Sequence, residues 1–199
     1  LIIKNSQILN SSRGVDLNNN ALFLIYNNKF DKNDRALNFT GYGGNMQGIW
    51  KNNFTNSGTH LTNNFAQLEY KHIYLSNCPG YVIVGKEGDT NKDSANVFQF
   101  PFSLGSTSYS EMGIYANNSG IKATYNTFLN FMMGVYINAP KTYHQFEVTN
   151  NSFKSNYKKT NDNNTSILNS GIVASSNASV TPVKFLIKAN NLDSCKLNI

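Results

Sequence analysis

The sequence predicts an all-β fold, a parallel β-helix (solenoid) of about eight rungs with roughly 24–25 residues each. Three observations support this prediction: a composition poor in helix formers, an internal repeat, and asparagine at the ends of short apolar segments. Of the 199 residues, 13% are aromatic and 14% are charged, whereas a globular protein averages roughly 25% charged residues. Scarce Ala, Glu and Arg beside abundant Phe, Tyr, Thr and Asn disfavour a helical fold.

The repeat consists of an apolar or small residue, an asparagine about three positions later, and a large apolar residue after that. Copies begin at Ile25, Ile49, Ala123, Val148 and Ile187. Their asparagines align as Asn28, Asn53, Asn126, Asn151 and Asn190, with gaps of 25, 73, 25 and 39 residues. The gap of 73 is close to three periods, the gap of 39 is one period plus an insertion, and Asn77 is a weaker copy. Asparagine suits the corners of a rung because it tolerates the left-handed conformation, and stacked asparagines can bond from rung to rung.

A second signal follows each corner, where a small residue precedes an apolar strand. It occurs at 35–39 and 134–137, each about eight residues after the aligned asparagine. The corresponding Gly171-Ile172-Val173 arrives late, and the excess is the polar stretch 154–169. This stretch predicts a loop insertion on one rung. Between residues 78 and 112 the pattern blurs among glycines and prolines, which predicts irregular rungs with longer loops.

The whole chain, residues 1–199, is predicted to be a single β-helix segment. It begins Leu1-Ile2-Ile3-Lys4 and ends in strand-like sequence, so we expect it to belong to a longer polypeptide. Cys78 and Cys195 are predicted to lie several rungs apart and to remain free thiols, since a disulfide needs Cα atoms within about 7 Å.

These features resemble a known group of proteins. The Asn-x-Phe corners at Asn28, Asn126 and Asn151, with the Gly-Val and Gly-Ile strand starts at Gly134 and Gly171, resemble right-handed parallel β-helix proteins of the pectin-lyase-like type. The Asn-, Lys- and Tyr-rich composition is similar to that of large secreted surface proteins of AT-rich Bacteroidetes. This resemblance implies a secreted or cell-surface location, contact with secretion machinery, and often a role as an adhesin.

The net charge of +6 comes from basic residues scattered along the chain, with Lys158-Lys159 the one adjacent pair in the sequence. Nucleic-acid binding would require Lys and Arg clustered on one face, so we predict no nucleic-acid partner. No run approaches the ~20 apolar residues of a membrane helix, so no membrane span is predicted.

Enzymes with a β-helix fold need converging titratable groups, and the sequence offers only weak candidates. Lys71 and His72 lie in a predicted strand, with Glu69 and Lys71 on one face and Tyr70 and His72 on the other. Tyr143 and His144 lie in a predicted loop. Together Lys71, His72, Tyr143 and His144 would be the groups of a polysaccharide lyase acting by β-elimination, but the sequence does not bring them together.

The segment Glu87, Asp89 and Asp93 weakly resembles a calcium loop, but it lacks the ligand spacing and the closing bidentate Glu. Asp31 and Asp34 are better explained as part of a turn. We therefore predict no metal site and no cofactor.

The function predicted is that of a non-catalytic spacer with an adhesive or carbohydrate-binding surface. Tyrosines and Trp50 could supply aromatic platforms for sugars, although Trp50 lies so near a corner that a structural role is favoured. One alternative is a carbohydrate-active enzyme, a lyase or hydrolase, for which the positive charge favours an acidic polysaccharide. Another is a secreted cargo protein captured in a larger assembly.

Overall fold

A computed structural model describes residues 1–18, 22–43, 47–55, 69–86, 88, 92–100, 110–138, 140–141, 144–154, 170–175 and 184–198. The described part contains β-strands and one short 3-10 helix, Lys92–Ser94. The strands are β1 Ile2–Lys4, β2 Gln7–Leu9, β3 Arg13–Asn18, β4 Phe23–Tyr26, β5 Lys29–Asp31, β6 Arg35–Thr40, β7 Gln47–Trp50, β8 Asn53–Thr55, β9 Glu69–Ser76, β10 Tyr81–Val84, β11 Val97–Gln99, β12 Ser110–Asn117, β13 Gly120–Thr124, β14 Thr127–Leu129, β15 Met133–Asn138, β16 Phe146–Thr149, β17 Ser152–Lys154, β18 Ser170–Ser175, β19 Phe185–Lys188, β20 Asn191–Asp193 and β21 Lys196–Asn198.

The strands form three parallel sheets, and every third strand returns to the same sheet. Sheet A contains β1, β4 and each third strand to β19; sheet B runs from β2 to β20; sheet C runs from β3 to β21. Each sheet has seven strands, and each successive trio of strands is one rung. The architecture is a right-handed parallel β-helix, as the sequence predicts.

The centre of the solenoid holds columns of identical or similar side chains. In sheet B the column is Ile8, Phe30, Phe54, Phe98, Phe128, Phe153 and Leu192. Neighbouring phenylalanine rings lie 4.6–4.9 Å apart and within 10° of parallel. This spacing matches the roughly 4.8 Å between adjacent strands, so each ring fills the space that its rung provides. These five phenylalanines are at most 1% exposed.

A second column, of asparagine, stands at the corner between sheets A and B. Its members are Asn28, Asn52, Asn96, Asn126, Asn151 and Asn190. In each step the Nδ2 of one asparagine donates to the Oδ1 of the next at 2.8–3.0 Å. The same amide also donates to a strand carbonyl of the preceding rung; for Asn52 this acceptor is the Ile25 oxygen, at 2.9 Å. The column therefore satisfies buried corner groups along the axis.

The structure corrects the repeat alignment at two asparagines, Asn53 and Asn77. Asn53, which the repeat alignment placed in the column, is the first residue of β8 and is exposed, whereas Asn52 is buried. Asn77 lies at the corner between sheets C and A, where Nδ2 of Asn118 donates to its Oδ1. Asn96 occupies the rung 4 place, after the segment 86–95 lengthens that corner.

The left-handed conformation belongs to the residue before the column rather than to the buried asparagine itself. Asn27, Lys51, Tyr125, Asn150 and Ala189 have φ between 54° and 57°. Since Lys, Tyr and Ala also occupy this place, the asparagine requirement of the corner comes mainly from hydrogen bonding.

The described strands make seven rungs where the length predicts about eight, because several connections are long. Residues 56–68 and 155–169 separate sheet B from sheet C in rungs 3 and 6, and residues 100–109 do so in rung 4. The predicted insertion at 154–169 therefore begins at the last residue of β17, and residues 155–169 lie outside the described residues. Both Cys78 and Cys195 are free, as predicted.

Replacement of Asn52 by alanine is expected to lower the free energy of unfolding by at least ~2 kcal/mol. The substitution removes the acceptor for the amide of Asn28 and the donor to the Ile25 carbonyl, and these buried groups cost about 1–3 kcal/mol each when unsatisfied. Urea unfolding followed by circular dichroism measures the change. The matched control is Asn53→Ala, because Asn53 is exposed, and it should change stability by under ~0.5 kcal/mol. Equal losses in the two variants would contradict the role of the column.

Candidate functional site

The outer side of sheet C carries a stack of three tyrosines, which we call the tyrosine face. Tyr74 on β9, Tyr115 on β12 and Tyr136 on β15 are direct neighbours in the strand register. They point outward because the residues beside them, such as Ile114 and Ala116, are buried in the core. The ring centroids of Tyr74 and Tyr115 lie 5.5 Å apart, and those of Tyr115 and Tyr136 lie 5.3 Å apart. All three side chains are half-buried.

Two cations lie over these rings. The Arg35 guanidinium carbon is 4.1 Å from the centroid of Tyr74, and Lys71 Nζ is 4.2 Å from that of Tyr115. At these distances the positive charges are attracted to the negative ring faces. Arg35 also donates to Oδ1 of Asn38 at 3.3 Å, which fixes its position beside Tyr74.

The polar end of the face lies in rungs 1 and 2, around Asp16. Asp16 accepts from Arg13 at 2.8 Å and from Asn38 at 2.7 Å. The Asn38 hydrogen bond first, and then the Arg13 hydrogen bond, lower the pKa of this carboxyl. The side chain is thereby held as a carboxylate in line with the tyrosines.

The opposite end of the face is apolar. Met112 and Met133 follow Arg35 and Lys71 in the register of sheet C. With Met132 and Val173 they form a small cluster against Tyr115 and Tyr136, apart from the central core. Methionine adapts its shape to a neighbouring aromatic ring, so these buried side chains support the Tyr115 and Tyr136 rings by packing against them.

Asn138 holds the centre of the face in place. Its Nδ2 donates to the Tyr115 hydroxyl at 3.2 Å and to Oδ1 of Asn117 at 3.0 Å. Tyr115 is thus constrained at its hydroxyl by Asn138 and at its ring face by Lys71. A pre-positioned ring loses little conformational freedom when a ligand stacks on it.

The in-and-out alternation of side chains is interrupted in sheet C beside the tyrosine face. In rungs 4 and 5, Gly113 and Gly134 lie between paired residues of sheet C, and a Cβ on either would come within 2.7 Å of a Phe128 or Phe153 ring carbon. In rung 3 the same place is occupied by His72, which points inward among Phe54, Phe98 and Phe100. Lys71 and His72 therefore lie on opposite sides of β9, but His72 and the next residue, Ile73, both face the core, so the regular strand alternation is broken at this place.

His72 is fully buried, and burial lowers its pKa to about 3, an effect that a backbone hydrogen bond with Gln99 partly offsets. Its Nε2 has no hydrogen-bond partner among the described residues. A histidine in this place cannot exchange protons with a ligand on the outer surface, so its environment fits a core residue.

The structure does not bring the candidate lyase groups together. His144 lies before β16 in rung 6, three rungs from Lys71, an axial separation of roughly 14 Å. Its Nδ1 accepts from the Lys141 amide at 3.0 Å, and burial lowers its pKa to about 4. Tyr143 lies outside the described residues.

The weak calcium candidates are similarly dispersed. Asp93 is exposed in the 3-10 helix Lys92–Ser94, whereas Glu87 and Asp89 lie outside the described residues. Within the described ranges, no group of three or more His, Cys, Asp or Glu side chains could hold a metal ion.

A second aromatic pair lies on the outer side of sheet A. Trp50 stacks on Tyr26 with ring centroids 5.4 Å apart and planes within 13°. Its indole leans over Gly48, where a Cβ would overlap the ring. Trp50 points outward and is half-buried, so this pair resembles the tyrosine face but is shorter.

A five-residue sequence pattern marks the three strands of the tyrosine face, and it is a pattern of apolar and tyrosine positions rather than of charged ones. Met112-Gly113-Ile114-Tyr115-Ala116 and Met133-Gly134-Val135-Tyr136-Ile137 are close copies, and Lys71-His72-Ile73-Tyr74-Leu75 shares their spacing. Aligning sheet C by this five-residue pattern would have placed the three tyrosines in one column.

Comparison with known proteins finds no family model, no curated protein and no solved structure that matches this chain. In the described part of the chain, no helix has the length and apolar character needed to cross a membrane.

Replacing His72 by phenylalanine is expected to reduce the loss of stability in acid. Because the folded-state pKa lies below the ordinary value of 6.5, the unfolded chain binds the proton more readily. The contribution of neutral His72 to the free energy of unfolding is therefore complete above about pH 6.5 and falls as the pH is lowered towards 3. This one group changes the free energy of unfolding by at most about 1.4 kcal/mol per pH unit.

Urea unfolding of the wild type and of His72→Phe at pH 7, 6, 5 and 4 (roughly spanning the window set by the two pKa values) measures the effect. His144→Gln is the comparison variant: because the pKa of His144 is also lowered, to about 4, this variant should reduce the loss of stability by a similar slope above about pH 5 and by less near pH 4. Identical pH slopes for the wild type and His72→Phe would show that His72 is not the responsible group.

Proposed function

We propose that this chain is a non-catalytic β-helical segment of a secreted or cell-surface protein, in which the tyrosine face binds carbohydrate. The finer assignment, to the pectin-lyase-like type and to a Bacteroidetes surface protein, is part of this proposal. It derives from the corner motifs and composition of the sequence.

The observation that carries the proposal is the in-register stack of Tyr74, Tyr115 and Tyr136. Aromatic rings offer an apolar face to flat ligands and a hydroxyl at the rim, a combination that suits sugars. The rings repeat at 5.3–5.5 Å along the solenoid axis. A surface that repeats along one axis favours an extended chain of similar units over a single compact molecule.

The surroundings of the stack also fit binding better than catalysis. Arg35 and Lys71 contact ring faces, and Asp16 is already engaged by Arg13 and Asn38. Acid–base catalysis requires a titratable group within hydrogen-bond reach of the reacting atom and with a pKa near the working pH. The described histidines, His72 and His144, are buried instead and have lowered pKa values.

The proposal predicts that Tyr115→Ala weakens binding to a polysaccharide at least tenfold, because the central ring of the stack is lost. Affinity gel electrophoresis against a panel of neutral and acidic polysaccharides identifies the ligand and measures its dissociation constant. Tyr115→Phe should retain most of the binding, since the ring remains. Tyr81→Ala on the outer side of sheet A is the matched control and should bind as the wild type does.

Two results would contradict the proposal. One is the absence of binding to every polysaccharide in the panel, and the other is undiminished binding by Tyr115→Ala. The runner-up function, a polysaccharide lyase, is tested in the same samples. Release of unsaturated sugars from a polyuronate, seen by ultraviolet absorbance, would replace the binding proposal with an enzymatic one.

A further inference from the structure

The charged side chains beside the tyrosine face are engaged by one another or by the tyrosine rings. On strands β3 to β18 of sheet C, the charged side chains that the structure describes are Arg13, Asp16, Arg35 and Lys71. Arg13 donates to the Asp16 carboxylate at 2.8 Å. The Arg35 guanidinium carbon lies 4.1 Å from the Tyr74 centroid, and Nη1 of Arg35 donates to Asn38. Binding of an anionic ligand here would compete with contacts that already exist.

Lys71 is withdrawn from solvent, although it lies on the outer side of β9. The residue is 2% exposed. Its Nζ lies 4.2 Å from the centroid of Tyr115 and 5.1 Å from that of Tyr74. A ligand carboxylate would reach this ammonium only if the groups that bury it moved aside. The side chain therefore supports the two rings rather than offering its charge to a ligand.

Asp16 adds a negative charge to the same surface. Its place in the register is followed by Asn38 and then by Tyr74, so the carboxylate lies in the column of the tyrosines. Asn38 Nδ2 donates to Oδ1 of Asp16 at 2.7 Å, and Arg13 donates to the other oxygen. A ligand carboxylate or sulfate placed beside this group would be repelled by it.

Much of the positive charge of the chain lies away from the tyrosine face. Lys29 on β5 and Lys154 on β17 belong to sheet B, and Lys122 on β13 belongs to sheet A. Each of these three lysines is itself within 3.6 Å of a carboxylate oxygen. The net charge of +6 is thus a property of the whole chain and does not make the tyrosine face an anion-binding surface.

An uncharged column of hydroxyl and amide side chains runs beside the tyrosines, and we call it the hydroxyl–amide edge. Each member stands two residues after a member of the tyrosine column, and residues two apart on a strand point to the same side. None of the members is buried, and neighbouring members are paired in the register of sheet C. They are Asn18, Thr40, Ser76, Asn117, Asn138 and Ser175.

Asn117 is the member of this edge best placed to bind a sugar hydroxyl, because it lies beside Tyr115 at the centre of the stack. Its Oδ1 accepts from Nδ2 of Asn138 at 3.0 Å, which holds the amide in place. The Nδ2 of Asn117 carries two N–H donors, and they have no acceptor among the described residues. A sugar hydroxyl both accepts and donates hydrogen bonds, so it suits such an edge.

We propose that the ligand of the tyrosine face is a neutral, hydroxyl-rich polysaccharide whose hydroxyl groups bind the hydroxyl–amide edge around Asn117. The inference rests on the proposed carbohydrate-binding function and names the class of its ligand. A neutral chain leaves the contacts of Arg13 with Asp16 and of Arg35 with Tyr74 intact. An anionic chain has to lose its hydration next to the Asp16 carboxylate or break these contacts, and either costs free energy.

Matched polymers that differ mainly in charge test the inference. The three pairs are hydroxyethyl and carboxymethyl cellulose, dextran and dextran sulfate, and highly methyl-esterified pectin and polygalacturonate. Biolayer interferometry, with the 199-residue protein on the sensor, measures each dissociation constant. Binding to the tyrosine face is the part that Tyr115→Ala removes. In at least one pair the neutral member should bind the face, and about tenfold more tightly than its anionic partner, a difference of about 1.4 kcal/mol.

The salt dependence gives a second measurement on the same samples. Raising the ionic strength from about 0.01 M to about 0.15 M shortens the Debye length from roughly 30 to 8 Å. Affinity for the neutral member should change by less than about twofold, because no ligand charge is screened. Asp16→Asn should raise the affinity for the anionic partner about threefold or more, since the repelling carboxylate is lost and Arg13 is released.

Asn117→Asp tests the edge with little change in shape. The variant keeps an oxygen to accept from Asn138 and replaces the Nδ2 donors by a second acceptor, so affinity for the neutral member should fall about fivefold. Asn53→Asp is the matched control, because it introduces the same charge on the outer side of sheet B, and it should bind as the wild type does.

The outcomes separate this inference from the function on which it rests. If the anionic members bind the face more tightly, or salt weakens the binding that Tyr115→Ala removes, carbohydrate binding stands and the neutral ligand class is wrong. If Asn117→Asp binds as Asn53→Asp does, the edge does not contact the ligand and the inference is overturned. If none of the six polymers binds, the proposed function fails and this inference fails with it.

Discussion

The structure depends on one constraint, the exact vertical register between successive rungs. Adjacent parallel strands lie roughly 4.8 Å apart, and this distance is close to the separation of stacked rings, so a phenylalanine at one place in every rung fills the core without gaps. The same register brings each buried asparagine within hydrogen-bond distance of the next. A slip by one residue would turn the apolar side chains outward and break both columns.

The two columns contribute in different ways. The phenylalanine column removes apolar surface from water and makes parallel ring contacts, whereas the asparagine column mainly avoids the cost of unsatisfied corner groups. They share a corner, since Asn52 and Phe54 are two residues apart, so each copy of the short repeat supplies both. This explains why a degenerate repeat specifies a whole rung.

The sequence was sufficient to predict the fold class because Ile25, Asn28 and Phe30 and their copies recur at rung spacing. It misassigned Asn53 because two asparagines adjoin there and only burial separates them. It missed Asn96 because the segment 86–95 interrupts the period. The tyrosine face was not predicted as a unit, since outward residues are under no packing constraint that marks them, and the lengths of the connections before β9 and β12 hide their spacing.

At the rung 4 corner, the columns of the solenoid continue although the connection between the two strands is longer. Val84 and Asn96 stand in the same columns as Ile49 and Asn52, although eleven residues separate the first two in the sequence and only two separate the others. The hydrogen bonds that Asn96 makes within its column have ordinary lengths, 3.0 Å from Asn52 and 2.8 Å to Asn126. Such a corner is suited to grafting: a foreign peptide inserted before the 3-10 helix Lys92–Ser94 would be displayed beside the solenoid, while Asn96 and the hydrogen bond from the Lys51 amide to the Ser94 carbonyl are kept.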